Sequence, residues 1–306
     1  MGQRVIVIVG PTCSGKSYLG LKLAQQLNGE IISADSRQIY KRLNIGTAKP
    51  TSEELQKVKH HFINILNPDE DYDVNKFSVD AENIIYDIHK RKITALVVGG
   101  SGLYVKALID GIVDSADKDE KLRNELFAKK EKYGIKYLYD ELTKVDPISA
   151  EKMLPQNWKR VIRALEVFYL TGKPIWQHHS NQNKSTKFSF YQIGINWDRE
   201  VLYTRIEQRI DKMIKDGLVD EVTDILNDGY DKNLNSLNTV GYKEIISYLE
   251  KDITLSRAIE LIKRNTRRYA KRQLTWFKAD QRIKWFNVSS QDDIDDLTLQ
   301  LIKDID

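Results

Sequence analysis

Five consecutive apolar residues, Val5-Ile6-Val7-Ile8-Val9, run without a break into GPTCSGKS, Gly10 to Ser17. An uninterrupted β-branched run suits a strand buried on both faces of a parallel sheet, whereas a half-exposed strand would alternate. Leu19, Leu23 and Leu27 follow at helical spacing. The order is strand, loop, helix, the context that gives the G-x-x-x-x-G-K-S/T pattern its meaning. Gly10 and Gly15 let backbone N–H groups converge on anionic oxygens, Lys16 adds a point charge, and the helix N-terminus adds partial positive charge. Gly10, Pro11, Thr12, Cys13, Ser14, Gly15, Lys16 and Ser17 are therefore the expected oligophosphate-binding residues, with Ser17 the expected Mg²⁺ ligand. The loop does not say what the phosphate is attached to.

The rest of the chain alternates in the same way. Glu30 to Asp35, His61 to Leu66 and Thr94 to Val98 read as further strands, and Asn75 to Lys92 as a helix with Ile84, Ile85 and Ile88 inward. Such alternation makes an α/β fold, a parallel sheet flanked by helices that binds ligands at the carboxyl ends of its strands. Asp35 and the Gly99-Gly100-Ser101-Gly102 turn are expected at that edge, facing the phosphate loop. From about Asp114 to Thr186 the pattern becomes helical, punctuated by Gly134, Pro147 and Gly172-Lys173-Pro174. The expected division is a core over 1–113, a helical insertion domain over 114–187, and a core completion over 188–306. In that last part Phe188 to Ile195 reads as a strand and Asp198 caps a helix to about Asp216. Helices are expected over GLVDEVTDIL, VGYKEIISYLEK and Leu255 to Phe277, then a strand from Arg282 to Val288 and a closing helix from Asp292.

The net charge of +4 over 306 residues is mild, but its distribution is not. Arg257, Lys263, Arg264, Arg267, Arg268, Lys271, Arg272 and Lys278 stand against a lone acid, Glu260, within one helix. Ile259, Ile262, Thr266, Tyr269, Ala270 and Gln273 fall on its other side. A solvated face mixes signs, so this one reads as a polyphosphate or nucleic-acid surface, with Trp276 and Phe277 placed to stack on bases. A single cysteine, Cys13, excludes an intramolecular disulfide and a multi-thiolate zinc site, and fits a reducing cytoplasm. Cys13 is either a small loop filler or a thiol activated at a helix N-terminus. His60-His61 and His178-His179 read as surface or packing residues rather than a metal set, because adjacent side chains diverge. No apolar run approaches the roughly 20 residues of a membrane span, and no secretory h-region precedes the first strand, so neither a membrane anchor nor a signal peptide is expected.

Phosphate loop and basic helix together leave three readings: a nucleic-acid-driven ATPase, a small-molecule kinase, or a non-catalytic RNA-binding protein. Motor ATPases carry an acid at the end of a second buried strand, whereas Thr94 to Val98 runs into GGSG. The acid at a strand end is Asp35, a metal ligand or a base. GPTCSGKS, ISADSRQIYKRLNIGTAKP, HHFINILNPDEDYDV, VGGSGLY, DPISAEK, VIRALEVF with TGKP, RIDKMIKDGLVDEV, VGYKE and NTRRYAKRQLTWFK, in this order, resemble the tRNA dimethylallyltransferases (tRNA isopentenyltransferases). The likeness runs from Val7 to about Lys278, and DSRQIY, GTAKP and KRQLTWF are its most specific parts.

That resemblance implies a P-loop NTPase-like core whose loop cradles the diphosphate of dimethylallyl diphosphate, with Mg²⁺. It implies transfer of the allyl group to the exocyclic amine of adenosine-37, beside the anticodon of tRNAs that read codons starting with uridine. Lys16 and the loop amides would stabilise the departing diphosphate, Asp35 would take the amine's proton, and Ser101, where the family usually has threonine, would hold the amine. Asp35, Ser36, Arg37 and Gln38 would hold the flipped base. Lys159, Arg160, Val161, Ile162 and Arg163 match the segment that grips tRNA, with Trp158 standing where an acid is common. Arg267, Arg268, Lys271, Arg272, Gln273 and Trp276 would track the anticodon stem-loop. Arg205 and Arg209 either clamp the diphosphate or pair with Glu207 and Asp211 on a solvated helix. A cytoplasmic monomer is expected.

Overall fold

The computed structural model describes residues 3–111, 119–180 and 188–305, and the side chains of His178 and His179 lie outside what it describes. In chain order the elements are β1 (Gln3–Val9), α1 (Lys16–Gln26), β2 (Gly29–Ser33), α2 (Ser52–Lys57), β3 (His60–His61), α3 (Val74–Lys90), β4 (Thr94–Gly99) and α4 (Gly102–Asp110). Four helices follow, α5 (Glu120–Val145), α6 (Pro147–Glu151), α7 (Trp158–Thr171) and α8 (Ile175–Ser180). The chain closes with β5 (Phe188–Trp197), α9 (Arg199–Lys215), α10 (Leu218–Asn227), α11 (Tyr242–Leu249), α12 (Leu255–Lys278), β6 (Lys284–Val288) and α13 (Gln291–Ile305). It divides into two compact units, 1–109 with 186–306, and 110–185.

The first unit is built on a six-stranded sheet of order β3-β2-β4-β1-β5-β6, every pairing parallel. β1 lies inside it, and Val5 to Val9 are all 1% exposed or less, the burial that an unbroken β-branched run requires. The register matches Val9 with Gly99 of β4 and Gly194 of β5, and Ser33 with Val98. Because all strands run the same way, the segments leaving β1, β2, β4 and β5 emerge at one edge. The phosphate loop, Asp35, Ser101 and Asp198 all follow from those strand ends.

One sequence expectation fails in this unit. His61 to Leu66 is not a strand: pairing with β2 stops at His61, and Phe62 (φ 63°) and Asn64 (φ 57°) turn the chain. The amides of Asn64 and Ile65 donate instead to Gln38 and Ile39 carbonyls, so the segment braces the stretch after Asp35. Helix α2, absent from the sequence reading, is started by a capping box in which Thr51 Oγ1 accepts from Glu54 N and Glu54 Oε2 from Thr51 N.

The second unit is helical. α5 bends at Gly134, and Leu126, Leu138 and Leu142 pack with Val161, Ile162 and Leu165 of α7. Trp158 opens α7, meets Phe127 edge-on at 5.8 Å, and lies beneath the ammonium groups of Lys130 and Lys159. Glu166 has no exposed surface and accepts from Arg123 and Arg163, each at 2.9 Å.

Candidate active site

The loop after β1 is clamped by three elements, β5, α9 and α12. Gly15 takes φ 84° to cap α1, a left-handed conformation in which a side chain is strained. Trp197, at the end of β5, donates its indole N–H to the Ser14 carbonyl at 2.8 Å. Gln273 of α12 accepts from Thr12 N at 2.8 Å. From α9, Arg205 Nε donates to the Cys13 carbonyl at 3.1 Å while its guanidinium stacks 4.2 Å above the Trp197 ring, and Arg209 bonds Thr12 Oγ1. Arg205 and Arg209 thus bond the loop itself rather than their acidic helical neighbours. Their neighbours Glu207 and Asp211 point elsewhere, to Arg267 and Lys263 of α12 at 2.5 and 2.6 Å.

Lys16 Nζ donates to the Pro11 carbonyl at 3.2 Å. Burial and, secondarily, the Arg209 charge lower its pKa to about 8, against an opposing pull from Asp35. Ser17 is exposed at the start of α1 and, with Cys13, Lys16, Lys49, Arg205, Arg209 and others, lines a cavity of about 520 Å³. Lys49, for which the sequence suggested no role, donates to Tyr40 O, Asn44 Oδ1 and Asn64 Oδ1, and burial pulls its pKa down to about 8. A second cavity, of about 330 Å³, takes Thr12, Asp35, Arg37, Arg209, Tyr269 and Arg272 into its wall, with Ile210, Met213, Val240 and Ile262 as its apolar side. Arg209 and the phosphate loop border both cavities.

Asp35 shapes its own surroundings. Its Oδ1 accepts from Arg37 N at 2.8 Å and Gln38 N at 3.3 Å, an Asx turn in which Oδ2 takes no part. Ser101 N donates to the Ala34 carbonyl, and Ser101 Oγ accepts from Ser36 N at 3.1 Å, so the turn after β4 is locked to the turn after β2. Gln38 reaches back to Ser33 Oγ and to the Thr47 and Ala48 carbonyls. Glu221 of α10 completes the frame: its carboxylate accepts from the amides of Asn44, Ile45 and Gly46 and from the Tyr242 hydroxyl. Glu221 escaped the sequence reading because the three amides it binds lie 175 to 177 positions away.

Several expected RNA contacts are corrected. Val161 and Ile162 are 0% and 3% exposed, their side chains packed in the core of the helical unit rather than presented at a surface, and Arg163 pairs with buried Glu166. Lys159 and Arg160 are exposed. Gln273 is buried and binds Thr12 and Gly100 rather than a ligand surface. On α12, Arg257, Lys263 and Arg267 are paired with Glu260, Asp211 and Glu207, so its cations are less unbalanced than the sequence of the helix implied. Arg268, Lys271, Arg272 and Lys278 are exposed, and among the described residues none joins an ion pair; Trp276 is 41% exposed beside them. His60 bonds the Val58 carbonyl and His61 bonds Glu30, and the described residues contain no metal-binding cluster of histidine, cysteine and carboxylates. No helix among them is long and apolar enough to cross a membrane.

A glycine-rich loop between β1 and α1 of a parallel sheet, gathered at one sheet edge with Asp35 and Ser101, places the chain among the α/β enzymes. Comparison with known proteins is specific. The model of the IPP transferase family matches residues 38–280. The chain is 45% identical to the tRNA dimethylallyltransferase of Thermoanaerobacter sp. (strain X514) over 314 aligned positions, 99% of this chain and 98% of that protein. It is similar to the crystal structure of the tRNA isopentenylpyrophosphate transferase of Bacillus halodurans (TM-score 0.72, 40% identity, 99% of this chain and 96% of that one). A eukaryotic dimethylallyltransferase acting on tRNA gives TM-score 0.79 at 31% identity, covering 94% of this chain and 74% of that one. The chain belongs to the IPP transferase family, the tRNA dimethylallyltransferases, and is a prenyltransferase.

Proposed function

We propose that this enzyme transfers the dimethylallyl group of dimethylallyl diphosphate to the exocyclic N6 amine of adenosine-37 in tRNAs that read codons beginning with uridine. The observation that carries the reading is the convergence, at one sheet edge, of the loop with Lys16, Arg205 and Arg209 on one side and Asp35 with Ser101 on the other.

The donor's diphosphate would take the 520 Å³ cavity, drawing Lys16 from the Pro11 carbonyl and Arg209 from Thr12. Breaking the donor C1–O bond leaves both electrons on the diphosphate, so fixed cations there stabilise the transition state more than the ground state. The new bond joins N6 to C1. The proton lost from N6 passes to Asp35 Oδ2, the oxygen that the Asx turn does not use. The Ser101 hydroxyl sits beside Ser36 where it can orient the amine, and the cations of α12 outside the ion pairs would follow the anticodon stem-loop backbone. Ser17 offers one hard hydroxyl oxygen at the mouth of the same cavity, which suits an Mg²⁺ held mainly by phosphate oxygens and water. Such an ion would supply further charge neutralisation to the leaving group.

Labelled dimethylallyl diphosphate, unmodified tRNA and Mg²⁺ test this directly. Label is expected on N6 of the purine 3′ to the anticodon, found by nucleoside mass analysis, without ATP. Consumption of ATP with no label in RNA would point to a kinase and end the proposal.

A further inference from the structure

Helix α12 turns a buried amide, not a cation, toward the phosphate loop. Gln273 is 6% exposed; its Oε1 accepts from Thr12 N at 2.8 Å and its Nε2 donates to the Gly100 carbonyl at 2.9 Å. One donor and one acceptor are both satisfied, as burial of an amide demands. The two bonds join the loop after β1, the turn after β4 and the cation-bearing helix, segments separated by up to 261 positions.

The turn is shaped to receive the helix. A Cβ at Gly100 would stand 2.3 Å from Gln273 Nε2, and a Cβ at Gly102 would stand 2.2 Å from Trp276 Cδ1. Gln273 and Trp276 lie one helical turn apart, so α12 seats two side chains on the two glycines that flank Ser101. Ser101 in turn holds the Asp35 turn through Ser36. The leaving-group side and the acceptor side of the cleft thus meet at one side chain.

We propose that Gln273 is a positioning residue: a strut that fixes the distance between the diphosphate-holding loop and the Ser101–Asp35 acceptor turn. This rests on the transfer reading above. Alkyl transfer needs the departing oxygen, C1 and N6 nearly in line, and a misplacement of about 1 Å can cost about a hundredfold in rate. Asparagine would be a methylene too short to reach both partners, and an ionised carboxylate would face the Gly100 carbonyl with no hydrogen to donate.

Two variants test the strut by the single-turnover rate of label transfer with both substrates saturating. Alongside, dissociation constants are measured for inorganic diphosphate and for an unmodified anticodon stem-loop RNA. Gln273→Met keeps the volume and removes both bonds; it should slow transfer about 10- to 100-fold while either dissociation constant moves less than about threefold. Gln273→Glu should be comparably slow when ionised, but its protonated form again offers one donor and one acceptor. Burial favours that form, so the ratio of its rate to that of the unaltered enzyme should climb as pH falls from about 8 to about 6. If Gln273 merely helps the chain fold, thermal stability would drop without that pH-dependent recovery, and the strut would be rejected. Unchanged single-turnover rates, or a loss confined to RNA affinity, would reject it too. The glutamate arm decides the matter alone should the methionine variant not fold. Label reaching RNA in the unaltered enzyme separates the outcomes: its absence sinks the transfer reading and the strut together, whereas its presence with unaffected variants sinks only the strut.

Discussion

Two stretches singled out in the sequence, Gly10 to Ser17 and Lys159 to Arg163, behave differently in the fold. In the loop, Thr12, Cys13, Gly15, Lys16 and Ser17 border the cavities, while Pro11 and Ser14 supply backbone oxygens that fix the rest. In α7 the motif is divided: Lys159 and Arg160 face out, Val161 and Ile162 enter the core, and Arg163 is committed to buried Glu166. A loop has no periodicity to respect. A helix packed on a neighbour must surrender one stripe to that neighbour whatever its function. A contiguous motif on a helix therefore mixes ligand contacts with packing residues, and only those at the right phase can bind.

The sharpest break with that contrast comes from the loop side. Asp35→Asn keeps the Oδ1 acceptor of the Asx turn and removes the proposed base. Turnover should fall about 10²- to 10⁴-fold with RNA affinity nearly intact, measured by single-turnover kinetics and filter binding. Lys16→Met should cost about 10²- to 10³-fold in kcat, the scale of losing one preorganised charge at a leaving group. On the α7 side, Ile162→Ala should instead lower stability by about 2–5 kcal/mol in denaturant titration and leave the rate per folded molecule unchanged. A change in RNA affinity at equal folded concentration would put Ile162 back among the contacts. Replacing Arg268 and Lys271 together with Ala should flatten the salt dependence of RNA binding by about one unit of slope per charge lost; Arg267, already paired with Glu207, should contribute less. The mildest effect is a pH profile. In the proposed site Lys16 holds diphosphate in its charged form, and burial lowers its pKa to about 8 in the ligand-free enzyme. Affinity for inorganic diphosphate should thus be full below that pH and weaken as pH rises through it, in direct titrations at several pH values.

The strand-loop-helix at the start, the cap at Asp198 and the extents of α9 and α12 were legible to within a residue or two, because each depends on neighbours in the chain. The second cavity was not. Its wall draws on the loop, the Asp35 turn, α9, α12 and the segment before α11. His61 to Leu66 misled because its backbone turns at Phe62 and Asn64 and then bonds the Gln38 and Ile39 carbonyls instead of continuing the pairing with β2. α2 was missed although Thr51 and Glu54 stand at capping-box spacing. For α9, helical phase put Arg205 and Arg209 one turn apart but left open whether they met the loop or paired with Glu207 and Asp211. Which side met the loop was not in that periodicity.

The amino-acid order by itself determined that a phosphate-binding loop sits between a buried strand and a helix, with an acid following a second strand, since these rest on local backbone preference and hydrophobic period. Which face of each helix meets the site, and that Gln273 and Glu221 serve as braces while Val161 and Ile162 serve as core, was decided by the tertiary structure. Helical period divides a sequence into faces without naming them. Only packing between segments distant in the chain tells one face from another.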